Sequence, residues 1–224
     1  METIVLSIGG SVLLPEDINP YFLKKLGDLL LKLCKKYKLF IVTGGGPIAR
    51  RYIGVGRKLG FNEETLDELG IAITRVNAKL LSNMMSCSNK IIPSTTDEAK
   101  KIDTPIVVMG GTTPGHSTDM VGAELAEKTQ ATRFIIATNV DGIYDKDPNK
   151  YSDARQLGEI SIDQLIQNYG TQWSSAGENI VIDGPALDII KKAGIKTFVV
   201  NGKKLGQLEK AINNQPFYGT KIRL

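Results

Sequence analysis

Three apolar runs in the sequence end on glycine. Ile4-Val5-Leu6-Ser7-Ile8 leads into Gly9-Gly10-Ser11, Phe40-Ile41-Val42-Thr43 into Gly44-Gly45-Gly46, and Ile106-Val107-Val108-Met109 into Gly110-Gly111-Thr112. A turn without side chains lets backbone N–H groups approach a ligand, and a helix start behind it adds the positive end of its dipole. Such a turn favours an anion, most often phosphate. One of them alone could equally be a sharp bend after a buried strand; three predict a shared crevice at the carboxyl edge of a sheet. Arg50 follows the second turn, and the third runs into the hydroxyls of Thr112, Thr113, Ser117 and Thr118 and the carboxylate of Asp119.

Other chemistries find little support. There is one histidine, His116, and no Gly-x-Ser-x-Gly elbow, which argues against a serine or cysteine hydrolase. No Gly-x-x-x-x-Gly-Lys-Ser/Thr run exists, and the glycines at 54, 56 and 60 have the wrong spacing for a dinucleotide fingerprint. Cys34 and Cys87 fall in separate helical patterns with no metal spacing or disulfide framework, as suits structural cysteines in a reducing cytoplasm. Phosphoryl transfer needs what remains, since the protein there positions two anions and neutralises charge with N–H groups, cations and Mg²⁺. A phosphate acceptor is already ionised near neutral pH, so His116 reads as a binding or loop-structuring residue rather than a base.

The elements that must position these groups alternate. Apolar spacing predicts helices over Pro20 to Lys36, Ala49 to Leu59 and Glu63 to Ser86, the last with Leu66, Leu69, Ile73, Val76, Leu80, Leu81 and Met84 inward. Further helices are expected near Asp97 to Lys101, from the Ser117-Thr118-Asp119 cap to about Lys128, over Ser161 to Asn168, from Asp183-Gly184-Pro185 to Ala193, and over Gln207 to Asn213. Lys90-Ile91-Ile92, Phe134 to Thr138, Ile180 to Ile182, Thr197 to Val200 and Thr220 to Leu224 read as strands, and Asn139 to Asp153 as a functional loop. The stretch around Trp173 looks irregular. Alternation of this kind gives a mainly parallel sheet covered on both faces. At 224 residues, 42% hydrophobic and 23% charged, the chain can bury one full α/β core. A net charge of +4 with scattered lysines and arginines gives no nucleic-acid footprint. Nothing resembles a secretion signal or a membrane span, so a cytoplasmic protein is expected.

The ordered motifs carry a resemblance. Ile8-Gly9-Gly10-Ser11, Gly44-Gly45-Gly46 with Arg50, the run from Gly110 to Asp119, Thr138-Asn139-Val140-Asp141-Gly142-Ile143-Tyr144 and Asp147-Pro148 follow one another as in the amino acid kinase family, and the chain resembles its archaeal-type UMP kinases most. The resemblance implies a three-layer α/β/α sandwich with a mainly parallel central sheet, in one domain whose acceptor-binding part spans roughly 1–130 and whose ATP-binding part spans roughly 131–224. It implies transfer of the γ-phosphoryl of Mg²⁺·ATP to UMP by a homohexamer, with UTP as a feedback inhibitor. Gly9, Gly10, Gly46, Arg50, Thr138, Asn139, Tyr144 and Asp147 would hold ATP. Gly45, Asp67, Thr112, Thr113, Pro114, Gly115, His116, Ser117 and Thr118 would hold UMP. Arg50, Asp119 and Asp183 would act at the transfer point, with the metal ligands left open. Asp67 could instead be a first-turn acid on its helix, and Asp119 and Asp183 could be helix caps. Many family members carry a lysine two residues before the first glycine pair, where this chain has Ser7. That difference counts against acyl-phosphate makers, and the lack of a histidine beside Gly44 to Gly46 counts against an isopentenyl phosphate acceptor. Arg50, Arg75 or a lysine elsewhere would have to supply the cation. A nucleotide sensor without catalysis is the reading from another class.

Overall fold

A computed structural model of the chain describes residues 1–146, 148, 150–170 and 182–224. Strand β1 (Glu2–Ile8) is followed by a short helix α1 (Gly10–Leu13) and by α2 (Pro20–Leu33), which leads to β2 (Tyr37–Thr43). Helices α3 (Gly46–Lys58), α4 (Glu63–Asn83) and α5 (Thr96–Lys101) precede β3 (Ile106–Met109), and α6 (Thr118–Lys128) leads to β4 (Arg133–Thr138). The strands β5 (Ile143–Tyr144) and β6 (Gln156–Leu157) pair as a small antiparallel ribbon. Then come β7 (Glu159–Ser161), α7 (Ile162–Tyr169), α8 (Gly184–Ala193), β8 (Thr197–Asn201), α9 (Leu205–Ile212) and β9 (Thr220–Arg223).

The main sheet has the order β3-β2-β1-β4-β8-β9-β7, parallel except between β8 and β9. Its central strands read as unbroken apolar runs because both faces are covered. Ile4, Leu6 and Ile8 of β1 share one core with Leu26, Leu30, Leu81 and Leu208, while Val5 belongs to a second core with Val121, Leu125 and Leu187. The expected three-layer sandwich is therefore present. Side-chain caps set several helix starts: Asn19 accepts from Tyr21 N at 3.0 Å, Asn62 from Thr65 N at 2.9 Å, and Ser161 completes a capping box with Gln164. Helix α3 begins three residues before the predicted Ala49, because Pro47 suits a first turn.

Two expectations are corrected. Lys90-Ile91-Ile92 is not a strand, and Ile91 is 84% exposed. The side chain of Asn89 takes the strand's place, donating to Val108 O at 2.9 Å and accepting from Val108 N at 2.7 Å. In α4, Val76 and Leu80 face outward, and the buried stripe is Leu66, Thr74, Asn77, Ala78, Leu81 and Ser82. Half of that inner face is polar: Ser82 donates to Asn89 O, and Thr74 and Asn77 have partners in the glycine turns.

Candidate active site

Strands β1, β2, β3 and β4 run parallel, so all four end on one edge, and β1 and β4 are adjacent where the chain switches direction across the sheet. Open α/β sheets bind ligands at such a crevice. The first two turns are stitched to the neighbouring strands, Gly44 N donating to Ile8 O and Gly9 N to Ala137 O, both at 2.9 Å. They also touch each other, since a Cβ on Gly10 would lie 2.1 Å from Gly46 N. Gly46 has φ +65°, and a Cβ there would lie 2.5 Å from Gly10 C. No side chain fits at either position, which leaves the backbone bare to the crevice.

Helix α4 fastens the third turn to the second. Gly111 N donates to Thr74 Oγ1 at 2.7 Å, Thr43 Oγ1 donates to Thr74 O at 2.9 Å, and Asn77 Nδ2 donates to Gly44 O at 2.8 Å. Arg75 donates to the carbonyls of Gly111 at 3.1 Å and Thr112 at 3.0 Å. Those bonds commit Arg75 to shaping the loop, so it is not the free cation the sequence left open. Thr74 and Asn77 went unnoticed in the sequence; the signal was two polar residues on the inward stripe of an amphipathic helix.

Two cavities open at this edge among the described residues. One, of about 230 Å³, is lined among others by Asp67, Thr74, Gly111, His116 and Ser117. The other, of about 210 Å³, is lined by Gly9, Gly10, Ser11, Asp119, Thr138 and Asn139. Gly45, Gly46, Arg50 and Thr118 belong to both walls. Arg50 is exposed, with Nη2 donating to Ser11 Oγ at 3.1 Å. A larger hollow, about 520 Å³, lies at the amino ends of β1 and β2 beside Lys38 and Lys128, whose charges are paired with Asp103, Asp97 and Glu124.

The carboxylates meet at the start of α6. Ser7 Oγ donates to Asp119 Oδ1 at 2.6 Å. Burial pushes the Asp119 carboxyl up from 3.8 to about 7, the neighbouring Asp183 adds to the rise, and the Ser7 hydroxyl opposes it. Asp183 caps α8 by accepting from Ala186 N at 2.8 Å, and it also accepts from the hydroxyl of Ser117, which itself caps α6 by accepting from Met120 N at 2.9 Å. Burial raises the Asp183 carboxyl as well. The starts of α6 and α8 are thus tied cap to cap. Asp119 lies in the first turn of α6 without being its cap.

Asp67 accepts from Gly115 N at 2.7 Å, holding the loop while facing the first cavity. It is the fifth residue of α4, past the first turn, so the alternative of a first-turn acid is set aside. Thr112 Oγ1 and His116 Nδ1 are buried without a partner among the described residues, as fits polar atoms that await a ligand. Thr113 and Pro114 are exposed at the loop tip. Tyr144 lies on β5 beside Asp141, outside both cavity walls. Asp147, Trp173 and the expected strand residues Ile180 and Val181 fall outside the described residues. No described helix is long and apolar enough to cross a membrane.

A sequence profile of the amino acid kinase family matches residues 2–201. A uridylate kinase of Methanobrevibacter smithii is 42% identical over 222 residues, 98% of each chain, and one of Thermoplasma volcanium is 41% identical, covering 99% of this chain and 97% of that one. The crystal structure of uridylate kinase from Archaeoglobus fulgidus superposes over the whole of both chains with a TM-score of 0.87 at 38% identity. Joined to the convergent glycine turns, these likenesses mean that the chain belongs to the amino acid kinase family.

Proposed function

We propose that this protein is a UMP kinase, moving the γ-phosphoryl of ATP to UMP to give ADP and UDP. The observation that carries the reading is the wall shared by two cavities. An in-line transfer needs two anions end to end with positive groups between them, and Gly45, Gly46, Arg50 and Thr118 occupy that place. UMP fits the cavity of Asp67, where a carboxylate can accept from two ribose hydroxyls and where His116 carries an unpartnered atom for the base or phosphate, with the unpartnered hydroxyl of Thr112 next along the chain from the lining residue Gly111. ATP fits the cavity of Gly9, Gly10, Thr138 and Asn139, and the resemblance assigns its nucleoside to Tyr144 and Asp147. The chain is then one domain, with acceptor binding within about 1–130 and donor binding within about 131–224, Gly9 and Gly10 reaching across from the first part.

The chain's own contribution is placement and charge. Bare N–H groups at Gly10, Gly45 and Gly46 solvate phosphate oxygens beside Gly9, whose own N–H is held by Ala137 O, and the Arg50 guanidinium neutralises charge between donor and acceptor. At the position where the family resemblance would put a lysine, the Ser7 hydroxyl instead holds Asp119. The described residues contain no cluster of three metal-ligating side chains. Mg²⁺ requires none, because it keeps waters and takes one or two carboxylates plus phosphate oxygens. Asp119, a hard oxygen donor in the donor cavity with a second carboxylate nearby, fits that role and would hold the ion. When bound, Mg²⁺ offsets charge on the transferring phosphates.

Self-association, as a hexamer, is part of the proposal: Tyr52, Val55 and Leu59 share one exposed face of α3, and Val76 and Leu80 share one of α4. A cytoplasmic location and inhibition by UTP in the donor or acceptor cavity complete it. A coupled ADP-release assay across UMP, CMP, AMP and GMP tests the reading. UMP turns over fastest; absent turnover with UMP, or faster turnover with AMP or GMP, overturns it.

A further inference from the structure

Cys34 and Cys87 are separated by 53 positions in sequence, yet their Sγ atoms lie 3.5 Å apart. Cys34 closes the carboxyl end of α2, and Cys87 sits in the turn that follows α4. The two elements already pack together: a Cβ on Gly27 of α2 would lie 3.5 Å from the terminal methyl of Met84, and Leu23 lines one small cleft with Leu81 and Met84. A disulfide needs the sulfurs about 2.05 Å apart, so closing the gap takes about 1.5 Å, within reach of side-chain rotation. The sequence placed these residues in unrelated patterns, and neither has a part in the active site.

We infer that Cys34 and Cys87 are a thiol pair that closes to an intramolecular disulfide by exchange with a small oxidised disulfide such as oxidised glutathione, and reopens with a dithiol. Exposure sets the order of events, because Cys34 is buried and Cys87 only partly so. The Cys87 thiolate attacks one sulfur of the oxidant, breaking its S–S bond and releasing one glutathione thiolate. Cys34 then loses its proton and attacks the Cys87 sulfur of the mixed disulfide, expelling the second glutathione. Two cysteine thiols are oxidised and one glutathione disulfide is reduced to two thiols. Burial and the neighbouring Cys87 push the Cys34 thiol up to about 11, which suits it to the second, intramolecular step rather than to capture from solvent.

The bond would close a ring containing β2, α3 and the whole of α4, hence the second glycine turn and Asp67. Chain-entropy arguments for a ring of this size give a rise in melting temperature on the order of 10 °C. The test is independent of nucleotide chemistry. The full-length protein is incubated with oxidised glutathione, and free thiols, intact mass and melting temperature are read before and after dithiothreitol. Expected are loss of both thiols with a mass lower by two hydrogens, no cross-linked dimer, and a melting point raised by roughly 10 °C and restored by the reductant. Cys87→Ser, at the partly exposed position, abolishes the mass and melting changes, and Cys34→Ser traps a persistent glutathione adduct on Cys87. Any of three results overturns the inference: a glutathione adduct that persists in the wild type, disulfide-linked dimers, or two thiols unchanged by the oxidant.

Discussion

Replacing Asp119 by asparagine should make the protein more stable and inactive at once. The carboxyl titrates near 7 instead of 3.8, chiefly because folding buries it. A raised acid pKa means that the folded state holds its proton more tightly than the unfolded one, so stability falls as pH climbs from about 4 and levels off above about 7. One pH unit of displacement is worth about 1.4 kcal/mol, which puts the cost of the ionised carboxylate at pH 8 at up to about 4 kcal/mol. The residue faces the donor cavity, so water there screens the charge and that figure is a ceiling. Asparagine keeps the shape and can still accept from Ser7 Oγ through its carbonyl oxygen. In metal-free, nucleotide-free buffer, Asp119→Asn should melt with the wild type near pH 4 and roughly 5–15 °C above it at pH 8. Differential scanning calorimetry across pH 4–8 reads this directly, and an ADP-release assay shows the accompanying loss of turnover. A gap that does not widen with pH, or a variant less stable at pH 8, would refute the reasoning that burial rather than hydrogen bonding governs this carboxylate.

Arg50→Ala should lower kcat on the order of 10²- to 10³-fold with an unchanged melting temperature, since the side chain is exposed and spans both cavities; steady-state kinetics with both nucleotides varied measures it. Gly10→Ala and Gly54→Ala should behave oppositely: the first meets backbone at 2.1 Å and loses folded yield and turnover, while the second meets nothing and gains about 0.5–1 kcal/mol in a urea titration. Thr74→Val strips the acceptor from Gly111 N and should cost about 1–3 kcal/mol in the same titration. Asp67→Asn should raise KM for UMP more than it lowers kcat, read from initial rates at saturating ATP.

Much of the architecture was legible because the central strands are apolar on both faces and the helices are capped by short oxygen side chains. Leu66 and Leu81 marked the inner stripe of α4 correctly, but Val76 and Leu80 did not, since helical periodicity says which residues share a face and cannot say that the Gly111 N–H and the Gly44 carbonyl on the facing turns need Thr74 and Asn77. Lys90-Ile91-Ile92 misled for a related reason. Its composition favours a strand, and only the fold reveals that Asn89 already occupies the ladder. The glycine turns could be read as an anion site from the chain alone. That Ser7 meets Asp119, 112 positions away, could not.

The amide of Asn89 has a consequence for life in a crowded solution. β3 is the outermost strand of the sheet on its side, and a bare outer strand offers docking positions to any foreign strand that drifts past. With Val108 N and O both engaged by one side chain, that border is sealed without the cost of another strand, and a second molecule finds no template there on which to polymerise.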